Sequence, residues 1–300
     1  MEQSYSTILF EQDEAVPEIV YITLNRPEKS NAISIGPDNM TGEVQDAIKR
    51  AENHEDIKVI IFRGKGKNFS AGFDLSQVYR VYGGGPGVRP PQAARLRVDE
   101  DHIIGLRRAI LDCKKLVMTQ IHGWCIEAAI FFAEASDIAI AANNAKFTHR
   151  GQRLAFGGTI PFPFDFTMGL SKKNMELLLT GRTISAEEAE QIGIITKAVE
   201  PEILEQEVYN LAKALCLYPS DAIAIGKMSR RHILESLGLT SMLAQVTYHT
   251  LATNLHYSPK EKESAFIRNR EKMGEKEAFD MLHKSWEDAL DKTENFKSYR

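Results

Sequence analysis

The segments IVYITL (residues 19–24) and VIIFR (residues 59–63) flank an amphipathic stretch, and together they decide the fold class. Both segments are rich in β-branched residues and end at turn residues, which predicts two buried strands. Residues 38–53 carry apolar side chains three and four positions apart, which predicts a helix with Asp38 as its N-cap. The apolar stripe comprises Met40, Val44, Ala47, Ile48 and Ala51. The sequence therefore predicts a strand–helix–strand unit.

The same alternation recurs further along the chain. Apolar patterning predicts a helix over residues 99–113, a strand over 116–121, a helix over 127–135 and a strand over 137–142. Strands that alternate with helices in this way are typical of a parallel sheet. We therefore predict a protein of the α/β class.

Helical patterns dominate the last third of the chain. After Thr180 we predict a helical layer, with Ser185 and Asp221 as N-caps of two of its helices. Residues 81–91 (VYGGGPGVRPP) contain too much glycine and proline for a helix or strand. We interpret them as a surface connector or, alternatively, as a cover over an active site, because the segment before them carries candidate chemistry.

Composition and charge exclude several classes of protein. The chain has 300 residues, of which 43% are hydrophobic and 26% charged, and its formal net charge is -4. These values exclude a disordered or fibrous protein and give no electrostatic footprint for nucleic acid. The apolar stretch 124–142 is interrupted by acidic residues, so it does not predict a membrane span. The N-terminus carries no targeting pattern, and we expect a cytoplasmic protein.

The cysteines give no sign of a metal site or a disulfide framework. Cys113, Cys125 and Cys216 are widely spaced, and no zinc-binding spacing of cysteine and histidine occurs. We predict that these cysteines are reduced and structural, and that the protein binds no metal.

Two separate segments are suited to binding a developing negative charge. NFSAGFDL (residues 68–75) follows a predicted strand and has small residues where the chain turns, so its backbone N–H groups can face a ligand. IHGWCIEAA (residues 121–129) also follows a strand and opens a helix, whose first amides and dipole favour an anion. Donors from two such segments can form an oxyanion hole.

Three blocks of sequence resemble the crotonase (enoyl-CoA hydratase/isomerase) superfamily. LNRP at residues 24–27, followed by Asn31-Ala32, is similar to the opening signature of that superfamily. FSAGFDL at residues 69–75 is similar to its F-x-A-G-x-D-[LI] element. Residues 177–199 resemble its LTG…A-x-E-A…G-[LI]-[VI] block. The resemblance extends over about residues 18–270.

This resemblance implies an architecture and an assembly. It implies a crotonase-like α/β spiral of ββα turns over residues 1–200, followed by a helical trimerisation region over residues 201–270. Residues 271–300 would then form an extra helical tail. The implied assembly is a homotrimer or a dimer of trimers.

The resemblance also implies a substrate and a binding site. The substrate would be an acyl-CoA thioester, with no tightly bound cofactor. The thioester oxygen would accept hydrogen bonds from the backbone N–H groups of Phe73 and Ala128, each worth about 3 kcal/mol in the transition state. Contacts to the coenzyme would come from the segments that hold Lys29, Ala71, Asp74 and Leu75.

The sequence departs from the hydratase pattern at both catalytic carboxylates. Counted from the motif residues, the position of the first glutamate falls on Phe131, and that of the second falls near Gly151. The usual glycine triplet is replaced by residues 127–129, Glu-Ala-Ala. Because paired glutamates perform the acid and base steps of hydration, phenylalanine and glycine cannot replace them, and this argues against the ordinary hydratase mechanism.

Four residues are candidates to replace the lost carboxylates. They are His149, Asp165, Glu127 and His122. A histidine can serve as a general base near neutral pH, and an aspartate can orient it or act as a nucleophile. Each residue also has a structural interpretation: His149 and His122 as hydrogen-bonded loop residues, Asp165 as a helix cap, and Glu127 as a carboxylate that complements a helix dipole.

Three hypotheses about function follow. The first is an acyl-CoA enzyme of the hydratase/isomerase type that stabilises an enolate. The second is a hydrolase that cleaves a carbon–carbon bond of a β-diketone, with His149 as its base. The third is a crotonase-like protein that has lost catalysis and retains only a binding role, as the loss of both carboxylates suggests.

Overall fold

The computed structural model describes residues 5–76, 91–154, 172–238, 269 and 272–300. Within these residues, the strands in chain order are β1 (Ile8–Gln12), β2 (Ile19–Leu24), β3 (Val59–Gly64), β4 (Leu116–Ile121), β5 (Trp124–Ile126), β6 (Ile138–Ala142), β7 (Lys146–Thr148), β8 (Ile184–Ser185) and β9 (Lys197–Val199). The helices are α1 (Met40–Glu52), α2 (Gln92–Val98), α3 (Gly105–Asp112), α4 (Ile130–Ala135), α5 (Lys172–Thr180), α6 (Ala186–Gln191), α7 (Leu204–Leu215), α8 (Ser220–Ser236) and α9 (Glu275–Leu290). A π-helical turn, Asp99–Ile104, joins α2 to α3.

The strands form two sheets, and most neighbours are parallel. The larger sheet has the order β1-β2-β3-β4-β6-β9, in which β1 alone is antiparallel to its neighbour. Parallel pairing places Ile19 opposite Val59, and Val59 opposite Leu116. This sheet confirms the predicted α/β class.

A smaller sheet has the order β5-β7-β8. The chain enters it twice, each time directly after a strand of the larger sheet. The chain leaves β4, turns at Gly123 (φ 59°) and enters β5; after β6 it enters β7. Each passage is therefore strand, strand and then helix, as in the predicted ββα turns. The sequence pattern does not predict β5, since it predicts a loop at Trp124–Ile126 before the following helix.

Helix α1 buries the predicted stripe against the sheet. Its side chains at Met40, Val44, Ala47, Ile48 and Ala51 are all buried. The predicted N-cap at Asp38 is wrong, because the N-cap residue is Asn39. The hydroxyl of Ser34 accepts a hydrogen bond from the Met40 N–H at 3.0 Å and so anchors the first turn.

The last third of the chain is less uniformly helical than predicted. Two short strands, β8 and β9, interrupt the predicted helical layer after Thr180, and β9 lies beside β6 in the larger sheet. Ser185 caps α6 as predicted, since its hydroxyl accepts a hydrogen bond from the Glu188 N–H at 3.2 Å. The predicted cap at Asp221 is wrong, because α8 begins at Ser220 after Pro219 and Asp221 lies inside the first turn.

Helix α7 covers the face of the larger sheet opposite to α1. Its buried side chains at Leu204, Val208 and Ala212 share a core with Ile19 and Ile61. The predicted domain boundary between residues 200 and 201 therefore lies just before a helix, α7, that packs directly on the larger sheet. Among the described helices, none is both long and apolar enough to span a membrane.

Candidate active site

The two segments selected for oxyanion binding run side by side in parallel register. The Ser70 N–H donates to the Trp124 carbonyl at 3.0 Å, and the Ile126 N–H donates to the Ser70 carbonyl at 3.1 Å. Ser70 and Cys125 thereby form a parallel bridge. Phe73 and Ala128 lie three residues beyond these bridge partners, at corresponding positions of the two segments.

Gly72 brings the two backbones into contact just before Phe73. Gly72 has φ 80°, and a Cβ atom at this position would lie 2.5 Å from the Ile126 carbonyl oxygen. An L-residue other than glycine would meet both backbone strain and a clash with the neighbouring backbone. Glycine therefore permits the close approach that sets the separation of the two segments.

The Phe73 N–H points away from its strand partner. On one side of Phe73, the Ile33 N–H donates to the Gly72 carbonyl at 2.7 Å; on the other, the Asp74 N–H donates to the Ile33 carbonyl at 2.9 Å. Because backbone groups alternate in direction along an extended strand, the Phe73 N–H faces the opposite side. It donates no hydrogen bond to any residue that the structure describes.

The Ala128 N–H lies at the start of a helix. Residues 127–129 form a 3₁₀ turn that continues directly into α4. N–H groups in the first turn have no acceptor within their own helix, and the helix dipole favours an anion at this end. Within the described ranges, the Ala128 N–H has no hydrogen-bond acceptor elsewhere either.

Glu127 occupies a strained position between these donors and His149. Its backbone lies in the left-handed region, with φ 53°, where a residue other than glycine loses about 1–2 kcal/mol. Its carboxylate oxygen Oε1 lies 3.5 Å from the Nε2 atom of His149. Both side chains are largely but not fully buried, with exposed fractions of 26% for Glu127 and 12% for His149. The structure therefore brings two of the predicted acid–base candidates together.

The Glu127 carboxylate lies against Gly151, near which the resemblance predicts the second hydratase glutamate. A Cβ atom on Gly151 would lie 2.5 Å from Glu127 Oε1 and 3.2 Å from His149 Cε1. Gly151 has no left-handed backbone that would require glycine. Space for the Glu127 carboxylate therefore explains the glycine, and Glu127 places a carboxylate next to the predicted position of the second hydratase glutamate.

Phe131 is buried in an aromatic and cationic cluster, at the position predicted for the first hydratase glutamate. Its ring contacts that of Phe73 edge-on, with centroids 6.0 Å apart. The guanidinium carbon of Arg107 lies 3.6 Å from the Phe131 ring centroid, a cation–π contact with a fully buried arginine. Arg107 is thus linked through Phe131 to Phe73, one of the two predicted oxyanion donors.

Three buried charged residues of α2, the π-helical turn and α3 are not among the predicted site residues. Arg95 Nε lies 3.4 Å from Asp99 Oδ2, and both side chains are almost completely buried. Arg107, in α3, is fully buried as well, and the three residues are spaced by four and eight positions. Charged residues at helical spacing within an apolar stripe could have indicated them.

His149 also lines a small cavity together with a buried glutamate. The cavity has a volume of about 30 Å³, and Glu134 of α4 and Arg182 are among its other lining residues. Its volume suits a single water molecule. His149 therefore contacts the carboxylate of Glu127 and lines a cavity that Glu134 borders.

The remaining predicted site residues lie in the loops beside Phe73. Asp74 Oδ2 is 2.9 Å from Arg26 Nη2 and 3.6 Å from Lys29 Nζ, and Asp74 Oδ1 accepts a hydrogen bond from the Ser76 hydroxyl at 2.6 Å. Burial alone would raise the pKa of Asp74, but the bonds from Ser76 and Arg26 outweigh it and lower the pKa below its ordinary value. Asp74 therefore holds the Arg26 loop against the Phe73 segment.

Lys29, Ala71 and Leu75 are more accessible than Asp74. The Lys29 side chain is 51% exposed, and Ala71 and Leu75 are half-buried. The Ala71 N–H donates to the Ser30 carbonyl at 2.8 Å, which leaves the Ala71 carbonyl as the group that can meet a ligand.

Of the other two acid–base candidates, the structure describes only His122, which makes its contact at a different turn. His122 Nε2 lies 2.9 Å from the Gly66 carbonyl oxygen, a contact that anchors a turn. Asp165 lies outside the described residues, as does the glycine- and proline-rich segment 81–91 apart from Pro91.

Comparison with known proteins identifies the family. The sequence model of the family described as enoyl-CoA hydratase/isomerase matches residues 14–276. The chain therefore belongs to the enoyl-CoA hydratase/isomerase family, and its resemblance to the crotonase superfamily is confirmed.

Curated relatives and solved structures agree with this assignment. A "probable enoyl-CoA hydratase" of Mycobacterium bovis is 28% identical over 77% of this chain and 78% of that protein. The 1,2-epoxyphenylacetyl-CoA isomerase of Escherichia coli is 29% identical over 70% of this chain and 78% of that protein. An enoyl-CoA hydratase/isomerase from Xanthobacter autotrophicus superposes with a TM-score of 0.78 and 26% identity, covering 93% of this chain and 98% of its own. An enoyl-CoA hydratase structure from Mycobacterium smegmatis, at a TM-score of 0.80, 22% identity and 99% coverage of both chains, has the same crotonase fold.

Proposed function

We propose that this protein is an acyl-CoA enzyme in which Glu127 and His149 replace the missing hydratase glutamates. The observation that carries this proposal is the 3.5 Å approach of Glu127 Oε1 to His149 Nε2, beside Gly151. Strained residues cluster at active sites because the surrounding structure holds them there for a chemical purpose. The left-handed backbone of Glu127 therefore favours a catalytic role over a merely structural one.

The backbone N–H groups of Phe73 and Ala128 bind the thioester oxygen. In the first step, the Glu127–His149 pair removes a proton from the carbon next to the thioester, and the electron pair of that C–H bond moves onto the oxygen. The resulting enolate is stabilised by the two N–H donors, by about 3 kcal/mol each. Return of the proton to the same carbon, or to a conjugated one, completes an exchange or an isomerisation.

The same groups suit hydration of an enoyl-CoA. Glu127 and His149 would take a proton from a water molecule as its oxygen attacks the β-carbon, and the enolate would then be protonated at the α-carbon. The lysine at position 29 is half exposed, and its cation can bind a phosphate of the coenzyme. Ala71 and Leu75 would border the coenzyme, and Asp74 would position the Lys29 loop.

We also propose that the protein assembles as a homotrimer or a dimer of trimers. Helix α8 exposes large apolar side chains, with Ile225 68% exposed, Met228 51% and Ile233 60%. Exposed apolar groups of this size favour self-association. Sedimentation velocity should give the mass of three or six chains, and a monomer would contradict this proposal.

Proton exchange tests the enolate step without assuming the final reaction. Wild-type protein should exchange the α-protons of phenylacetyl-CoA or butyryl-CoA in D₂O, as followed by NMR. Glu127→Gln and His149→Ala should each slow this exchange at least 100-fold, since general acid–base groups contribute about 10²–10⁴ in rate. Absence of exchange by the wild type with both thioesters would contradict the proposal.

A carbon–carbon bond hydrolase is the second candidate, and the position of His149 at the cavity lined by Glu134 and Arg182 favours it. The imidazole would take a proton from a water molecule as the water oxygen attacks a diketone carbonyl. The carbon–carbon bond would then break, and its electron pair would leave on the enolate fragment, which takes up the proton. Cleavage of a β-diketone that is lost in His149→Ala but kept in Glu127→Gln would favour this candidate. Acyl-CoA binding without exchange, hydration or cleavage would favour a non-catalytic role.

A further inference from the structure

The C-terminal tail packs on the segment that carries His149. The family match ends at residue 276, but helix α9 continues to Leu290 and the chain continues to Arg300. The family pattern therefore does not account for these last residues, and their contacts give them a role of their own.

Arg153 is the first anchor between the tail and the His149 segment. Its side chain has no exposed surface, and its Nη1 atom donates to Glu287 Oε1 of α9 at 2.7 Å. Its Nε atom donates to the Thr180 carbonyl at 2.7 Å. The guanidinium also lies 5.2 Å from the ring centroid of Trp286. One buried cation thus joins α9, the end of α5 and the 3₁₀ turn after His149.

Thr183 is the second anchor. The Tyr299 N–H donates to the Thr183 carbonyl at 2.8 Å, and the Thr183 N–H donates to the Ser298 hydroxyl at 3.2 Å. The Thr183 hydroxyl in turn accepts a bond from Arg150 Nη2 at 3.2 Å. The chain end is therefore bound to the same turn as the residue next to His149.

The turn at residues 180–183, which both anchors bind, also contacts the backbone beside His149. The Thr148 hydroxyl donates to the Gly181 carbonyl at 3.0 Å. A Cβ atom on Gly181 would lie 3.0 Å from the His149 carbonyl oxygen and 3.0 Å from Arg153 Nε, so this glycine permits close packing. His149 is held between Thr148 and Arg150, both of which bind this turn.

We propose that the C-terminal tail positions His149 for its contact with Glu127, with Arg153 and Glu287 as positioning residues. This inference rests on the proposed acid–base role of His149. The Arg153 guanidinium is fully buried, so loss of the Glu287 charge leaves a buried cation without its carboxylate. The 3₁₀ turn must then shift, and the imidazole shifts with it.

The experiment compares Glu287→Gln and a deletion of residues 297–300 with the full-length wild type. Glu277→Gln, an exposed residue of the same helix, is the matched control. The measurements are the maximal rate of α-proton exchange for phenylacetyl-CoA, the dissociation constant of that thioester, and the ¹³C–¹H resonance of the His149 ring. Both variants should lose at least tenfold in the maximal rate, keep the dissociation constant within about twofold, and shift the His149 resonance. The control should match the wild type in all three measurements.

An unshifted His149 resonance in both variants would overturn the inference. So would an unchanged exchange rate in variants of an active wild type. A wild type without exchange, in which the variants nevertheless shift the His149 resonance, would refute the proposed function while supporting the structural link between the tail and His149. The His149 resonance therefore distinguishes a failure of the positioning inference from a failure of the proposed function.

Discussion

Glu127 Oε1 lies 3.5 Å from His149 Nε2, and Glu127 reaches this position from a left-handed backbone with φ 53°. One residue combines backbone strain, a partly buried carboxylate and the place next to Ala128, a proposed oxyanion donor. On the proposed function, the acid–base role of the pair accounts for this strain.

Replacing Glu127 with glycine should therefore separate stability from activity. Glycine adopts φ 53° without steric cost, so Glu127→Gly should raise the free energy of unfolding by about 0.5–1 kcal/mol. The same change removes the carboxylate and should lower α-proton exchange at least 100-fold. Urea unfolding and the exchange rate measure the two effects. Glu127→Gln is the control, which should lose activity without gaining stability; a Glu127→Gly protein with full activity would contradict a catalytic role.

Gly151→Ala should displace the Glu127 carboxylate by adding a methyl group next to it. The added methyl group would lie 2.5 Å from Glu127 Oε1, the end of a side chain that can rotate away. We therefore expect a loss of stability below about 1 kcal/mol and a fall of at least tenfold in exchange. Gly226→Ala is the control, because a Cβ atom there meets nothing within 4 Å and alanine favours the helix. Equal activity of both variants would mean that the Glu127 position is not critical.

Gly72→Ala should disturb the spacing of the two N–H donors. A Cβ atom would lie 2.5 Å from the Ile126 carbonyl oxygen, and the backbone has φ 80°. Because both the clash and the strain involve the backbone, we expect a loss of about 2–3 kcal/mol in unfolding free energy and a large fall in exchange. Gly66→Ala, with φ 86° but only the Pro27 side chain at 3.0 Å, should lose about 1 kcal/mol and keep its activity. If Gly66→Ala and Gly72→Ala lose activity equally, the spacing of the segments is not the cause.

The sequence predicts the framework of the fold because strands and α1 follow local patterns. Residues 19–24 and the stripe of α1 form the predicted elements, since apolar spacing determines which face becomes buried. The same patterns fail for β5 and β9, which are three residues long and are strands only because of their neighbours. Pairing across the sheet is a tertiary property, so short segments of this kind carry little local signal.

The candidate site divides in the same way. His149 and Glu127 could be selected from the sequence because they are polar residues near aligned catalytic positions. The distance between them could not be predicted from the sequence, since it depends on a left-handed turn at Glu127 and on the absence of a side chain at Gly151. The sequence does not indicate Arg107 and Arg153 as site residues, because long charged side chains are normally exposed and only tertiary packing buries these two.

His283 should make the protein sensitive to acid. Burial, followed by the charges of Arg150 and Arg153, lowers the pKa of His283 from 6.5 to about 3. Arg153 Nη1 approaches His283 Nδ1 at 3.4 Å, and since arginine can only donate, Nδ1 must accept and the ring is neutral.

Because His283 is neutral in the folded state, the folded protein loses stability as the pH falls. Below pH 6.5 the unfolded chain binds a proton at this residue, but the folded chain does so only near pH 3. Between these values the unfolded state gains relative stability, and the contribution between pH 7 and pH 5 is roughly 1–2 kcal/mol. Urea unfolding at both pH values should show that His283→Gln, which stays neutral, loses correspondingly less stability than the wild type over this interval. His54→Gln changes an exposed histidine and should behave like the wild type; equal acid sensitivity of His283→Gln and wild type would show that His283 is not buried in its neutral form.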